Sequence, residues 1–262
     1  MSPKIMPVAR HRKGYGWLPD LPDQRDHLYA APPTVLRALP RQADLRPNCP
    51  PVFDQGALGS CTANAIANAY RFDVLRQHGP PDFLPSRLFL YYNERVIEGT
   101  TDSDAGAMLR DGIKSLARQG VCGERSWPYL PARYAVRPTT RAYREGLQHQ
   151  ALSYQRLAQD AWQMKGCLAS GFPFVFGFSV YESFESEAVA RSGVMPMPGP
   201  GERLVGGHAV LAVGYDDRRS RFIAMNSWST DWGDKGYFYV PYAYLGSAQL
   251  ARDLWTVRTV EA

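Results

Sequence analysis

The clearest pattern along the chain is helical, and it begins at a cysteine. Over residues 61–78, apolar side chains recur at three- and four-residue spacing; Ser60 stands at the N-cap position, and Gly79 and two prolines follow. This spacing predicts a helix that ends at the glycine. Two further helical patterns cover about 86–97 and 106–118, and each ends near a glycine.

Beyond about residue 165 the pattern changes to strands. Aromatic and β-branched runs are separated there by Gly, Asp and Ser, as is typical of strands joined by turns. The runs are FPFVFGFSV, GHAVLAVGYDD, SRFIAMNSW, GYFYVPYAYL and DLWTVRTV. A helical first half and a strand-rich second half predict an α+β fold of two lobes along a cleft, with a helical lobe over 39–165 and a β-rich lobe over 166–262.

Residues 1–38 form a segment of different character. They are rich in Pro, Gly and charge and sustain neither a helical nor a strand period, so the pattern predicts an extended arm rather than a domain. Tyr15, Trp17, Leu18 and Leu21 give this arm apolar groups with which to dock. We expect it to lie near the cleft as a short pro-segment or cleft-covering segment; the alternative is that it only completes the core.

Length and charge exclude several classes of protein. The 262 residues suffice for a sizeable core, and no run of about 18 apolar residues is present, so we expect no membrane span. The start of the chain lacks the apolar core of a secretory signal, which leaves the compartment open. The net charge of +5 includes a basic cluster at 10–13 but no recognisable nucleic-acid module, so we expect a solvated tail and no nucleic-acid partner.

The four cysteines do not indicate a metal site. Cys49, Cys61, Cys122 and Cys167 are scattered, and none is spaced as C-x-x-C, so we expect neither zinc nor a dithiol redox centre, and no cofactor. Cys49, Cys122 and Cys167 are expected to be small buried apolar side chains. Spacing alone leaves their disulfide pairing open.

Cys61 stands in a different chemical setting. A thiol at a helix N-terminus faces unpaired backbone N–H groups and the positive end of the helix dipole, and both favour the thiolate. Gly56 and Gly59 allow the preceding loop to turn tightly and to approach a substrate closely. These features indicate a nucleophile, although a buried structural thiol is the simpler alternative.

A thiolate that performs acyl chemistry needs a base, and His208 is the candidate. It follows Gly206 and Gly207 and opens an apolar strand, and Asn226 lies 18 positions further on. An asparagine amide can orient an imidazole without competing for its proton. Alone, His208 would be read as a structural histidine; with Cys61 and Asn226 it indicates a catalytic one.

Three motifs together resemble the papain-like cysteine peptidases, and they are more similar to the bacterial members of that family than to the plant or lysosomal enzymes. They are Gln55-Gly56-x-x-Gly59-Ser60-Cys61, Gly207-His208-Ala209-Val210, and Asn226-Ser227-Trp228 with Trp232-Gly233-x-x-Gly236-Tyr237. The separation of Cys61 and His208 lies within the window of about 130–150 positions that such enzymes show. The resemblance covers most of the chain and implies the two-lobed papain-like fold.

The resemblance also implies roles for four side chains. Cys61 would be the nucleophile, His208 the base and then the acid, and Asn226 the group that orients the imidazole. Gln55, six positions before Cys61, would supply the side-chain amide of the oxyanion hole. No metal ligand and no cofactor is implied.

Three other residues are expected to meet the substrate or to shield the site. Gly106 lies where the family has its substrate-binding strand, Gly207 lies beside the expected substrate pocket, and Trp228 would cover the His–Asn hydrogen bond. Because Leu58 stands in place of a half-cystine, we expect the loop before Cys61 to be held by packing rather than by a disulfide. Thr62 and Ser229 also depart from the family pattern, in place of an aromatic residue and a glycine.

These observations predict a hydrolase, a thiol peptidase that cleaves peptide bonds through a thioester acyl-enzyme and carries a zymogen-like N-terminal segment. Its partners would be peptide or protein substrates, and we expect a monomer. A catalytically silent papain-like binding protein and a related acyl transferase or amidase are the alternatives. The sequence leaves the cleavage specificity open.

Overall fold

The computed structural model describes residues 14–79 and 83–261. The basic cluster at 10–13, the rest of the first 13 residues and the two prolines after Gly79 lie outside the described residues. The helices are α1 (Pro33–Arg37), α2 (Cys61–His78), α3 (Arg87–Glu98), α4 (Leu109–Gln119), α5 (Thr140–Gly146), α6 (Ala161–Ala169), α7 (Glu187–Ser192) and α8 (Tyr242–Leu245).

The helix predicted over 61–78 is confirmed as α2, and it forms the centre of the molecule. It packs on the strands β7 (Leu204–Asp216) and β10 (Ala251–Val260) and on α3 and α4. Almost every residue of it is buried, as expected of a helix enclosed on all sides. Ser60 occupies its N-cap position, but its side chain makes no capping hydrogen bond. The Ser60 hydroxyl instead lies 2.6 Å from that of Tyr129.

The strands are β1 (Trp17–Leu18), β2 (Leu28–Tyr29), β3 (Gln42–Asp44), β4 (Ala107–Met108), β5 (Ala151–Leu157), β6 (Phe174–Tyr181), β7 (Leu204–Asp216), β8 (Arg221–Met225), β9 (Tyr237–Pro241) and β10 (Ala251–Val260). Seven strands follow one another in the order β2-β5-β10-β6-β7-β8-β9, and β3 pairs with β7. Apolar residues on one face of this sheet pack on α2 and α3, while those on the other face form a second core.

The α+β fold with its sheet-rich second part is confirmed. The sheet also includes strands from earlier in the chain, because β5 pairs antiparallel with β10 and β2 pairs parallel with β5. The arm therefore contributes to the sheet, and residues 151–157 of the range assigned to the helical lobe belong to it as well. Within the described part of the chain, no helix is long and apolar enough to cross a membrane.

The arm also forms a short sheet across the cleft. Its strand β1 pairs parallel with β4, with Trp17 opposite Ala107. This pairing explains why α4 begins at Leu109 rather than at 106: the two residues before it are extended strand.

Candidate active site

Cys61 is the first residue of α2 and is completely buried. Burial raises the pKa of its thiol to about 12, and backbone hydrogen bonds from Ala209, Gly16 and Thr62 act against this shift. The helix terminus alone would favour the thiolate, but desolvation outweighs it in this arrangement. One of the three backbone groups, that of Gly16, belongs to the arm, so the arm touches the sulfur that the sequence marks as the nucleophile.

His208 and Asn226 form a buried pair. His208 lies on β7 and Asn226 directly follows β8, the neighbouring antiparallel strand, and the histidine Nε2 is 2.8 Å from Asn226 Oδ1. Because that oxygen can only accept, Nε2 carries a proton. The indole of Trp228 stacks on the imidazole with a centroid distance of 4.7 Å and excludes water from the hydrogen bond.

Gln55 is fully buried and is held from two sides. Its Oε1 accepts a hydrogen bond from Ser227 Oγ at 2.6 Å, which fixes the orientation of the amide. Its Nε2 donates to Leu58 O and to Gly14 O, both at 2.9 Å. The amide predicted for the oxyanion hole thus already donates to a backbone carbonyl of the arm.

The predicted substrate-binding glycines also face the arm. A Cβ on Gly106 would come within 2.2 Å of Gly16 O, and one on Gly207 within 2.5 Å of Trp17 O. The backbone bond to the arm comes from the next residue, since Ala107 N–H donates to Gly16 O at 2.7 Å. Both glycines therefore line the part of the cleft that the arm occupies.

Two aromatic residues of the arm pack on the predicted site. Tyr15 lies edge-on to the rings of His208 and Trp228, with centroids 6.0 and 6.1 Å away, and its hydroxyl donates to Glu185 at 2.6 Å. Trp17 is 7% exposed and covers the backbone of β6 at Gly177, where a Cβ would lie 1.9 Å from the indole.

Further along, the arm is tied down by charged groups. Asp26 forms ion pairs with Arg110 at 2.5 Å and with Arg156 at 3.1 Å. The backbone N–H of Asp20 donates to Asp253 Oδ2 at 2.8 Å, and burial together with the Asp253 charge raises the pKa of Asp20 above its usual range. Two carboxylates thus face each other where the arm meets β10.

The residues that depart from the family pattern have local explanations. Thr62 Oγ1 donates to Glu94 at 2.8 Å, and burial raises the pKa of this carboxyl well above its ordinary value, so a small hydroxyl residue suits the position. Ser229 adopts φ +62°, a left-handed conformation that favours glycine. The described cysteines are all free, and Cys49 is only partly buried.

No motif in the sequence indicated a role for Asp104 or Tyr91. Asp104 accepts hydrogen bonds from Gly59 N–H and from the Tyr91 hydroxyl. In the sequence, however, its neighbours are polar and resemble those of any surface loop. The absence of a half-cystine at Leu58 could have indicated such a contact, because a loop without a disulfide must be held by non-covalent interactions. No group of three or more His, Cys, Asp or Glu suited to a metal ion occurs within residues 14–79 and 83–261.

A helix-terminal thiol, a buried His–Asn pair and an aligned glutamine amide at a cleft define a cysteine-type peptidase. The profile of the papain family cysteine proteases matches residues 39–254, and the chain belongs to that family.

Individual relatives agree with this assignment. An uncharacterized peptidase C1-like protein of Acanthamoeba polyphaga mimivirus is 40% identical over 97% of this chain and 90% of its own length. A cathepsin B-like protein of Giardia intestinalis, CP3, is 30% identical over 74% of this chain and 65% of its own. The crystal structure of xylellain, a cysteine protease from Xylella fastidiosa, is similar with 44% identity and a TM-score of 0.89, covering 96% of this chain and 98% of that one.

Proposed function

We propose that the chain is an endopeptidase in which Cys61, His208, Asn226 and Gln55 perform the reaction, and that its arm inhibits it. The observation that carries the catalytic part is the 2.8 Å bond between His208 Nε2 and Asn226 Oδ1. With its proton directed to Asn226, the imidazole has Nδ1 as the nitrogen that exchanges a proton with Cys61. This is the division of roles that a thiol nucleophile requires.

The reaction proceeds in two halves. His208 Nδ1 takes the proton of the Cys61 thiol, and the thiolate attacks the carbonyl carbon of the scissile peptide. Gln55 Nε2 and the Cys61 N–H stabilise the oxyanion that forms. As the C–N bond breaks, the imidazolium protonates the leaving amine and a thioester remains. Water, deprotonated by His208, then attacks the thioester, and collapse releases the acid and restores the thiol.

The substrate is a peptide or protein chain that lies where the arm now lies. Gly106 and Gly207 would approach its backbone closely, and Trp228 would continue to shield the His208–Asn226 bond. We propose that the active species is a monomer and that its partners do not include nucleic acid.

The inhibitory role of the arm rests on what it occupies. The carbonyl of Gly14 accepts the Gln55 Nε2 hydrogen bond that the oxyanion of a substrate would need. Gly16 and Trp17 lie against both predicted substrate-binding glycines. A peptide substrate and residues 14–18 therefore compete for the same groups, and turnover requires the arm to leave.

Labelling with an epoxysuccinyl-peptide probe tests the catalytic assignment. We expect a single adduct on Cys61 by peptide mass mapping and none in Cys61→Ala, together with hydrolysis of a mixed peptide library. An adduct without hydrolysis, in the full chain and also in Trp17→Ala with its loosened arm, would favour the binding protein, and transfer of acyl groups to added amines in place of hydrolysis would favour the acyl transferase. Either result would refute the proposal.

A further inference from the structure

The loop that delivers the nucleophile, residues 55–60, is held without a covalent tie. It contains Gly56, at φ +62°, and Gly59, and glycines lose more conformational freedom on ordering than other residues. Leu58 stands where the resemblance implies a half-cystine, and the described cysteines are all free thiols. A non-covalent contact therefore has to keep this loop in place.

Asp104 makes one such contact, in addition to the Gln55–Leu58 and Ser60–Tyr129 hydrogen bonds of the same loop. The N–H of Gly59 lies 3.1 Å from each oxygen of its carboxylate, across 45 positions of sequence. A Cβ on Gly59 would lie 3.0 Å from Oδ1, so the loop is pressed directly against the carboxylate. Hydrogen bonds that a charged acceptor receives are about twice as strong as neutral ones, which suits a bond that replaces a cross-link.

Tyr91 fixes the carboxylate from the other side. Its side chain is completely buried in α3, and its hydroxyl donates to Asp104 Oδ1 while accepting from Gly106 N–H at 3.2 Å. Burial and the neighbouring carboxylate raise the pKa of this hydroxyl, so it remains a donor. These hydrogen bonds thus join Gly106, a predicted substrate-binding residue, to Gly59 in the loop before Cys61.

We infer that Asp104 is a positioning residue for the peptidase reaction, an inference that rests on the proposed role of Cys61. Gly59 is two residues before Cys61, so a shift of the loop displaces the sulfur and the Cys61 N–H relative to the Gln55 amide. Misplacement of reacting groups by about 1 Å costs up to about a hundredfold in rate. The carboxylate acts through the loop and does not itself meet the substrate.

The test measures kcat and KM of the full chain on a short fluorogenic peptide, with rates referred to titrated Cys61. Asp104→Ala is expected to lower kcat by about ten- to a hundredfold, as loss of a charge-assisted bond implies. Its KM should change little, because Tyr91 still accepts from Gly106. Asp104→Asn should recover most of the rate, since its amide oxygen accepts from Gly59. The matched control is Asp102→Ala, an exposed aspartate two positions earlier.

A second variant distinguishes the effect of the Asp104–Gly59 hydrogen bond from that of the Tyr91–Gly106 hydrogen bond. Tyr91→Phe retains the Asp104–Gly59 bond and deprives Gly106 of its acceptor, so KM should rise more than kcat falls. Equal kcat in Asp104→Ala and Asp102→Ala, or no recovery in Asp104→Asn, would overturn the inference.

Hydrogen exchange at the Gly59 amide tests the Gly59–Asp104 hydrogen bond without relying on turnover. It should be slow in the full chain and faster in Asp104→Ala; equal exchange would also overturn the inference. Absence of peptide turnover both in the unmodified chain and in Trp17→Ala, which loosens the arm, would instead count against the proposed function, and the exchange measurement would still decide the role of Asp104.

Discussion

Replacing Trp17 by alanine should activate the full-length chain. Trp17 is 7% exposed and covers the backbone of Gly177 and Gly207. Its indole therefore makes a large apolar contribution to the docking of the arm in the cleft. The substitution removes these contacts from the closed state and leaves Cys61 and His208 untouched. A loosened arm vacates the cleft more often, and turnover rises.

The magnitude follows from the burial of the indole. Truncating a buried aromatic side chain to alanine costs about 3–5 kcal/mol. Because Trp17 becomes exposed when the arm leaves, we take the lower value for the free energy of arm docking. A change of about 3 kcal/mol multiplies the open fraction on the order of a hundredfold, until the open state predominates.

The assay is kcat/KM for a short fluorogenic peptide, measured on full-length protein with titrated Cys61. Leu28→Ala is the matched control, because Leu28 also belongs to the arm but is 67% exposed. It should behave like the unmodified chain. If Trp17→Ala is folded and titratable yet no faster than Leu28→Ala, the arm does not limit access. A loss of both activity and thermal stability would favour the alternative that the arm only completes the core.

Three further predictions concern other residues. The pKa of Asp20 is raised when the arm is docked, so this carboxyl favours docking below its ordinary pKa of about 3.9 and loses that contribution as the pH rises through the raised value. Turnover should therefore increase from acidic to neutral pH. Asp20→Asn should flatten this increase in the same pH–rate profile. Gln55→Ala should lower kcat by about 10²–10³-fold through loss of an oxyanion donor, and a kcat within threefold (roughly) of the unmodified value would count against that role. Ser229→Gly should stabilise the fold by about 1 kcal/mol because it relieves a left-handed serine, seen as a rise of about 2–4 °C in the melting temperature; an unchanged or lower value would contradict the strain argument.

The pattern of apolar residues and turn residues predicted those elements whose signals lie within or beside their own residues. The helix over 61–78 was correct because its apolar spacing, its small N-cap residue and Gly79 all agree, although the Ser60 hydroxyl caps no backbone N–H of the helix and lies against the Tyr129 hydroxyl instead. The start of α4 was wrong by three residues because β4 exists only through its pairing with Trp17 and Leu18. A strand that depends on a partner about 90 positions away leaves no local signal.

The site was predictable to the extent that it rests on motifs. Cys61, Gln55, His208 and Asn226 follow from residue type and order, and the structure brings the last two within 2.8 Å. The thiol's raised pKa was not predictable, because it depends on burial beneath the arm. Asp104 was missed for a related reason, since its bond to Gly59 crosses 45 positions.

Trapping the acyl-enzyme tests the central claim most directly. Full-length protein mixed with an activated peptide ester should show, by intact-mass and peptide mapping, one thioester on Cys61 that decays to free acid. The adduct should form faster in Trp17→Ala and be absent from Cys61→Ala. Absence of an acyl group from both the full-length chain and Trp17→Ala, or its attachment to Cys49 instead, would contradict the account.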